Sequence, residues 1–308
     1  MEFLARVSKF SMLRQEHTQS LSEISLNGIS QPGHTRYRIS SIIGRAEGAA
    51  RARHPDASKL TMRFLLLSDI HANVTALDAA LDAVKGQWER VYCLGDIVDY
   101  GPDPDEVTER VKALSPVIIR GNHDKAVAGL TDLEDFNPVA QLAAEWTRSH
   151  MLAENLKYIA QLPAGPISAD GITLVHGALE DEDEYVFVPG QAMGGLLESP
   201  TDVTFFGHTH HQGGFSYRAG HIGMIQLRPD HGPKFAALRM EQGTRYLLNP
   251  GSIGQPRDGD PRAAFAVADL DHHIIEFWRV PYDIAAVQKR MEKAGLPFAL
   301  VERIAAGR

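Results

Sequence analysis

The sequence FLLLSDIHAN, which runs from Phe64 to Asn73, gives the strongest indication of the fold. Its first four residues form a continuous apolar run, which is the pattern of a strand buried on both faces. Polar residues of the kind that bind metals follow at once, and an apolar helical face lies between Val74 and Val84. The stretch therefore predicts a buried strand, a functional loop and a helix in succession.

The same order of strand, polar loop and helix recurs twice downstream. The apolar runs Val91–Leu94 and Val117–Ile119 each end in a polar loop. Helices are expected to start at Asp103-Pro104 and at Asn137-Pro138, because proline suits the first turn of a helix. This repetition indicates parallel β-α-β units.

The second half of the chain has a different pattern. Two apolar runs end in His176-Gly177 and in Gly207–His210, and several short runs separated by turn residues follow them. Residues from about 283 to 306 are expected to be helical. This half therefore predicts a mostly antiparallel sheet closed by C-terminal helices.

The composition excludes several classes of protein. The 308 residues are 44% hydrophobic and 23% charged, as in ordinary globular proteins, and no apolar run reaches the length of about 18 residues that suggests a membrane span. The single cysteine, Cys93, excludes an intramolecular disulfide and a multi-cysteine metal site. A net charge of −8 argues against general binding of nucleic acid. The 14 histidines instead suggest an oxygen and nitrogen metal site.

The charge divides the chain into two predicted regions. Residues 1–61 contain nine basic and five acidic residues, whereas residues 62–308 contain 22 basic and 34 acidic residues. The first region lacks a sustained apolar period and is expected to be a basic, disordered extension, with translation from Met62 or a binding arm as alternatives. Residues 62–308 are expected to form the functional domain.

Side chains of the types that can bind metals follow five of the predicted strands. They are Asp69 and His71, Asp96 and Asp99, Asn122 and His123, His176, and His208 and His210. Because ligands bind at the carboxyl ends of strands in open α/β sheets, these residues are expected to share one edge. Imidazole, carboxylate and amide donors in this mixture suit two ions such as Mn, Fe, Zn or Ni.

These blocks resemble the motifs of the calcineurin-like metallophosphoesterase superfamily, and in particular its small bacterial phosphodiesterase branch. They read Asp-x-His, Gly-Asp-x-x-Asp, Gly-Asn-His-Asp, a lone His and Gly-His-x-His, in that order. The resemblance covers about residues 62–282. It implies a four-layer α/β/β/α sandwich, in which two mixed β-sheets are flanked by helices and a dimetal site lies at the C-terminal ends of strands.

The resemblance also implies roles for the individual residues. One ion would be held by Asp69, His71 and His210, and the other by Asn122, His176 and His208, with Asp96 bridging them. The two ions, with manganese favoured, would share a hydroxide that attacks phosphorus. His123 would act as the general acid and Asp99 would orient it. Arg120 and Arg257 are weaker candidates for contact with the substrate phosphate.

The expected function is metal-dependent hydrolysis of a phosphodiester or a phosphomonoester in the cytoplasm. The expected partner is a small phosphate ester, and a nucleotide is one option. Formation of a homo-oligomer is left open. Binding to a membrane or to nucleic acid is not expected. A dinucleoside polyphosphate hydrolase and a protein phosphatase are the alternatives. Protein phosphatases of the superfamily carry an arginine where this chain has Tyr100, and the dinucleotide hydrolases resemble them there, so this departure argues against both activities. A non-catalytic scaffold and a nucleotide-sensing module are alternatives of another class, although the presence of His123 argues against a scaffold.

Three nearby features are expected to be structural. Asp124 is expected to accept hydrogen bonds, and Cys93 to lie in the core. The acidic run Glu180–Glu184 is expected to be a solvated loop.

Overall fold

The computed structural model describes residues 40–42, 62–114, 117–134, 136–227 and 235–308. The strands are β1 (Ser40–Ile42), β2 (Arg63–Leu67), β3 (Arg90–Cys93), β4 (Val117–Ile118), β5 (Ile167–Ala169), β6 (Ile172–Leu174), β7 (Val203–Phe205), β8 (Gly213–Arg218), β9 (His221–Gln226), β10 (Phe235–Arg239), β11 (Arg245–Asn249), β12 (Ala263–Asp269) and β13 (Ile274–Val280). The helices are α1 (Val74–Ala83), α2 (Pro104–Leu114), α3 (Asn122–Val127), α4 (Pro138–His150), α5 (Ala153–Ala160), α6 (Met193–Leu197), α7 (Ile284–Ala294) and α8 (Phe298–Ala306).

Sheet I contains six of these strands in the order β10-β13-β12-β2-β3-β4. The parallel unit predicted from the sequence is present, since β2 pairs with β3 and β3 with β4 in parallel. Along β2 the side chains alternate between the two faces, so that Leu65 packs among residues of the helices and Leu66 among residues of the other sheet. The continuous apolar run is therefore buried on both sides.

Sheet II contains seven strands in the order β1-β9-β8-β11-β7-β6-β5. The prediction of one mostly antiparallel sheet for the second half is correct only in part. Among the described strands from β5 onward, five of the seven pairings are antiparallel, but β6, β7 and β11 pair in parallel. In addition, β12 and β13 belong to sheet I, where β12 lies antiparallel to β2. The residues of β12 from Ala263 to Ala268 are all buried, which suits the centre of a covered sheet rather than a half-exposed one.

The two sheets pack face to face, and helices cover their outer faces. Residues of both sheets, among them Phe64 and Phe205, share the core between them. The outer face of sheet I packs against α1, α2, α4 and α5, and the outer face of sheet II packs against α6. The predicted four-layer α/β/β/α sandwich is confirmed.

The helix boundaries follow local signals. The Asn137 side chain accepts hydrogen bonds from the backbone N–H groups of Val139 and Ala140, at 3.1 and 3.0 Å, and so caps α4 as its sequence predicts. Helix α2 begins at Pro104, also as predicted. The C-terminal helical region is divided in two at Gly295, which has a left-handed φ of 74°. Helices α7 and α8 then pack together beside α4.

The predicted N-terminal extension, residues 1–61, lies outside the described residues except for Ser40–Ile42. This three-residue strand pairs with the edge strand β9, with Ser41 opposite Met224. Among the helices in the described ranges, none combines the length and the apolar character required to cross a bilayer.

Candidate metal centre

Five strand ends, three from sheet I and two from sheet II, bring the predicted ligands to one place. The loops after β2 and β3 are joined by bonds from the Asp69 N–H to the Gly95 carbonyl, at 3.1 Å, and from the His71 N–H to the Asp96 carbonyl, at 2.9 Å. The loops after β6 and β7 are joined by a 2.8 Å bond from the Gly207 N–H to the His176 carbonyl. The backbone thus fixes neighbouring loops against each other before any side chain contributes.

The ligand-type side chains form two buried groups that share one carboxylate. Group A comprises Asp69, His71, Asp96 and His210, and group B comprises Asp96, His176, His208 and Asn122. The candidate ligand atoms of the carboxylates and imidazoles lie within 4.8 Å of one another in each group, and Asn122 Oδ1 lies 3.2 Å from His176 Nε2. The structure therefore brings together all seven side chains that the sequence singled out as ligands.

Backbone carbonyls orient the four imidazole rings. In three rings Nδ1 faces a carbonyl oxygen: His71 that of Val98 at 3.2 Å, His176 that of Leu94 at 2.7 Å, and His210 that of Gln255 at 2.6 Å. These three rings donate from Nδ1, so each offers the lone pair of Nε2 to the centre. In His208 it is Nε2 that faces a carbonyl, that of Asp183 at 3.1 Å, so Nδ1 is the nitrogen available to a metal.

Asp96 lies at the junction of the two groups. Its Oδ1 accepts the backbone N–H of His123 at 2.9 Å. Its Oδ2 is buried and has no hydrogen-bond partner among the described residues, and it lies 3.6 Å from His71 Nε2 and 3.4 Å from His176 Nε2. A buried carboxylate oxygen without a donor is costly unless a cation accompanies it, so this atom fits a metal between the groups.

The protonation states agree with a metal centre. Burial lowers the pKa of His71 and of His210 well below the usual range, and it lowers the pKa of His208 to about 3. Neutral imidazole is the form that binds a metal. Burial also favours the neutral ring of His176, but the charge of Asp96 raises the pKa of His176 to about 10. The positive charge of His176 beside Asp96 is the charge that a bound cation would replace.

The loops that carry the ligands have unusual backbone conformations. Left-handed φ angles occur at Asp69 (50°), His71 (47°), Asp96 (52°), Asp99 (75°), His208 (64°) and His210 (58°). Such conformations are costly for residues other than glycine, and they concentrate at functional sites. Glycine serves the centre differently, because a Cβ at Gly121 would lie 2.6 Å from His176 Cε1 and a Cβ at Gly207 would lie 2.9 Å from Asp69 Oδ2. The ligands can crowd together only because these two positions lack side chains.

His123 stands beside the metal groups and is paired with Asp99. Its Nδ1 lies 2.6 Å from Asp99 Oδ2, and the carboxylate is fully buried. The His123 ring centroid lies 4.4 Å from that of Tyr100 and 5.2 Å from that of His71. Burial opposes a charge on this ring, but Asp96 and Asp99 raise the pKa of His123 above its ordinary value. The arrangement favours the protonated form of an imidazole next to the metal groups.

Asp124 and Cys93 are placed as the sequence predicts. Asp124 Oδ1 accepts the backbone N–H groups of Ile97 at 2.9 Å and Val98 at 3.2 Å, and its Oδ2 accepts that of Gly121 at 3.0 Å. Asp124 thus ties the loop after β3 to the start of α3. Cys93 is a buried, free thiol in the core.

The acidic loop 180–184 is not merely solvated. Arg120 donates to both carboxylate oxygens of Glu182, at 3.1 and 2.7 Å, and Lys125 donates to Glu182 and to Asp183. The carbonyl of Asp183 is the group that orients His208. Arg120, which the sequence suggests as a contact for phosphate, instead forms an ion pair with Glu182. This ion pair holds the loop whose Asp183 carbonyl orients His208.

Arg257 lies beside the centre, next to His210 and Tyr100. Two further residues near the centre, Arg303 and Tyr185, were not predicted from the sequence. The backbone N–H of Arg257 donates to the His210 carbonyl at 3.3 Å, and the guanidinium carbon of Arg257 lies 5.9 Å from the Tyr100 ring centroid. Arg303, on α8, approaches the same ring to 5.9 Å, and the Tyr185 ring stacks on that of His208 with centroids 3.8 Å apart. Only the packing of α8 and the path of the acidic loop bring them here, and no local motif marks either residue.

Comparison with known proteins agrees with the fold and with this centre. Residues 62–273 match the calcineurin-like phosphoesterase superfamily domain. An uncharacterized protein of Methanocaldococcus jannaschii is 32% identical over 247 residues, which are 79% of this chain and 97% of that protein. The crystal structure of a metallophosphoesterase from Sphaerobacter thermophilus is 39% identical, with a TM-score of 0.68, over 80% of this chain and 100% of that one.

A hypothetical protein of Pyrococcus horikoshii shows the same fold at 22% identity, with a TM-score of 0.64 and coverage of 80% of this chain and 99% of that one. The fold and the paired carboxylate and imidazole groups define a metal-dependent hydrolase of phosphoric esters. The chain belongs to the calcineurin-like phosphoesterase superfamily. The resemblance seen in the sequence is confirmed, and the buried groups identify a site for divalent metal.

Proposed function

We propose that this chain hydrolyses a small phosphoester with two divalent ions, one held by group A and one by group B. The single observation that carries the proposal is the position of Asp96 Oδ2, which is buried, unpartnered among the described residues, and within 3.6 Å of His71 Nε2 in group A and of His176 Nε2 in group B. In this proposal Asp69, His71 and His210 bind one ion, Asn122, His176 and His208 bind the other, and Asp96 bridges them. Bound divalent ions neutralise phosphoryl oxygens and lower the pKa of water.

His123 is proposed to protonate the leaving oxygen. Asp99 accepts the Nδ1 proton at 2.6 Å, so the opposite nitrogen, Nε2, is the one available to the substrate. The raised pKa of His123 favours the protonated ring, which is the state that a general acid requires. Asp99 thereby positions the ring and favours its cationic form without touching the substrate.

The finer parts of the proposal concern substrate, ion and location. We propose manganese as the preferred ion and the cytoplasm as the location, and we propose a phosphodiester or phosphomonoester as substrate. A dinucleoside polyphosphate and a phosphorylated protein remain the alternatives, with Tyr100 standing where protein phosphatases carry an arginine. The proposed centre suits all of these substrates, because its ions would contact only the reacting phosphoryl group.

The experiment is a substrate panel with the metal-reconstituted protein. Bis-p-nitrophenyl phosphate and p-nitrophenyl phosphate, with Mn²⁺, Ni²⁺ or Fe²⁺ added, are followed by release of nitrophenolate, and nucleotides and phosphopeptides by release of phosphate. We expect hydrolysis of at least one nitrophenyl ester, dependent on the added ion. Stoichiometric metal without turnover of any substrate would contradict the proposal and would favour a sensing module, whereas absence of bound metal would favour a scaffold.

A further inference from the structure

Two arginines, Arg257 and Arg303, approach the ring of Tyr100 beside the metal centre. Arg257 and Arg303 are each half-buried, and neither forms an ion pair with an acidic side chain in the described part of the chain. Arg257 donates from Nη2 to Gln255 Oε1 at 3.1 Å, while its Nε is buried and has no acceptor among the described residues. Arg303 donates from Nε to the Arg308 carbonyl at 3.0 Å. Most of the donors of these two guanidinium groups therefore have no hydrogen-bond acceptor among the described residues.

The two positive charges repel each other. Burial and the charge of Arg257 together lower the pKa of Arg303 below its ordinary value. Like charges that are partly removed from water raise the energy of the folded state unless an anion accompanies them. An anionic ligand bound near both guanidinium groups would offset this repulsion.

The pair lies on the side of the centre that is occupied by His123. Both guanidinium carbons lie 5.9 Å from the Tyr100 ring centroid, and that ring packs 4.4 Å from the His123 ring. Tyr185, which stacks on His208, lies close enough to Arg303 to influence it electrostatically. Both arginines and the proposed general acid therefore contact the same Tyr100 ring, which places the arginines near the leaving-group side of a bound phosphoester.

We propose that Arg257 and Arg303 form a second anion subsite, which binds a phosphate carried by the leaving group of the substrate. The proposal rests on the proposed function, and it narrows the substrate class to phosphoric esters or anhydrides with a further phosphate. The reacting phosphoryl group is neutralised by the ions of groups A and B, so a substrate with an uncharged leaving group leaves both arginines unpaired. A second phosphate accepts charge-assisted hydrogen bonds from both, and guanidinium suits such bidentate contacts better than ammonium does.

The test is anion binding by the manganese-loaded protein, measured by calorimetry. The probes are methylenediphosphonate, which carries two phosphonates and resists hydrolysis, and methylphosphonate, which carries one. We expect the wild-type protein to prefer the diphosphonate, and we expect Arg257→Met and Arg303→Met each to weaken diphosphonate binding by about 10- to 100-fold relative to the monophosphonate, as expected for loss of hydrogen bonds to a charged group.

Two controls separate the subsite from a general effect of charge or folding. Arg218→Met removes an exposed arginine that pairs with Glu241, and it should change neither affinity. Arg303→Lys keeps the charge but not the planar donors, and it should give an intermediate loss. Thermal unfolding of each variant checks that the fold is retained.

The outcomes distinguish the subsite from the proposed function. An equal loss for both probes would overturn the proposal, because the arginines would then bind the reacting phosphoryl group itself. No loss for either probe would overturn it as well. If the diphosphonate preference depends on the arginines but no phosphoester is hydrolysed, the subsite stands and the proposed function fails. If esters are hydrolysed and the wild-type protein shows no such preference, only the subsite fails.

Discussion

Groups A and B use the same kinds of ligand, but the protein supports them differently. In group A the side chains of Asp69, His71 and His210 are at most 1% exposed, and the two imidazoles bond to backbone carbonyls in the loop after β3 and in the loop between β11 and β12. In group B, His208 is 3% and Asn122 is 9% exposed. His208 is oriented by a carbonyl of the acidic loop 180–184 rather than by a strand end.

The acidic loop is itself held by ion pairs at the surface. Lys125 bridges Glu182 and Asp183, whose side chains are 18% and 48% exposed, and Arg120 holds Glu182 from the other side. A cavity of about 350 Å³ borders this loop and His176. The ring-orienting contacts of group A are thus buried, whereas in group B the loop that orients His208 is held by ion pairs whose side chains are partly exposed. We expect group A to bind its ion more tightly than group B.

The largest effect is expected from removing what the groups share. Asp96→Asn keeps the shape of the side chain and removes its charge, so we expect both ions and metal-dependent hydrolysis to be lost together. Elemental analysis of the purified variant and hydrolysis of bis-p-nitrophenyl phosphate measure this. Asp202→Asn, at a carboxylate that is 81% exposed, is the matched control. Retention of either ion at wild-type affinity would break the assignment of Asp96 as the bridge.

A smaller effect is expected from changing the proposed general acid. His123→Ala should retain both ions and slow turnover by about 10²- to 10⁴-fold, the usual contribution of general acid–base catalysis. Elemental analysis and steady-state kinetics on the same preparation separate the two properties. Loss of an ion from this variant would place His123 among the supports of group A or group B instead.

An asymmetric effect is expected from weakening the support of group B. Lys125→Met removes the bridge to Glu182 and Asp183, and we expect it to lower the affinity of group B by about tenfold while that of group A stays unchanged, since supporting partners typically contribute 10- to 100-fold. Calorimetric titration with Mn²⁺ resolves the two steps. Lys85→Met, at an exposed lysine of the same charge, serves as control. Equal weakening of both steps would remove the proposed difference between the groups.

The smallest effect is expected from salt. Raising the ionic strength from about 0.1 M to about 1 M shortens the Debye length from about 10 Å to about 3 Å and screens exposed ion pairs far more than buried contacts. The weaker calorimetric step should therefore lose more affinity than the stronger step, by a few-fold. If salt weakens the stronger binding step more than the weaker one, the exposed ion pairs do not support the weaker metal site.

The sequence predicts the ligands because each lies directly after an apolar strand. Asp69 and His71 follow the run at Phe64, and the same rule locates Asp96, Asn122 and His208, since parallel strands place their carboxyl ends together. The pairing of Asp99 with His123 was predicted from the resemblance, and the structure places the two side chains 2.6 Å apart. Local pattern therefore accounts for the seven ligand positions and for sheet I from β2 to β4.

The supports are a different matter, because they arise from tertiary packing. Nothing in the run Glu180–Glu184 shows that the Asp183 carbonyl would orient His208, and nothing near Arg303 shows that α8 would carry it to Tyr100. The return of β12 to sheet I was missed for a similar reason. A strand buried on both faces has the same apolar pattern whichever sheet it joins.

Titration of the metal-free protein with Mn²⁺, followed by calorimetry and by hydrolysis of bis-p-nitrophenyl phosphate in the same samples, tests whether two unequal metal sites support the activity. We predict two binding steps of unequal affinity per chain, with hydrolysis rising as the weaker step is filled. Binding of a single ion, or full occupancy of both steps without hydrolysis of this ester or of the other phosphoesters in the panel, would contradict the account.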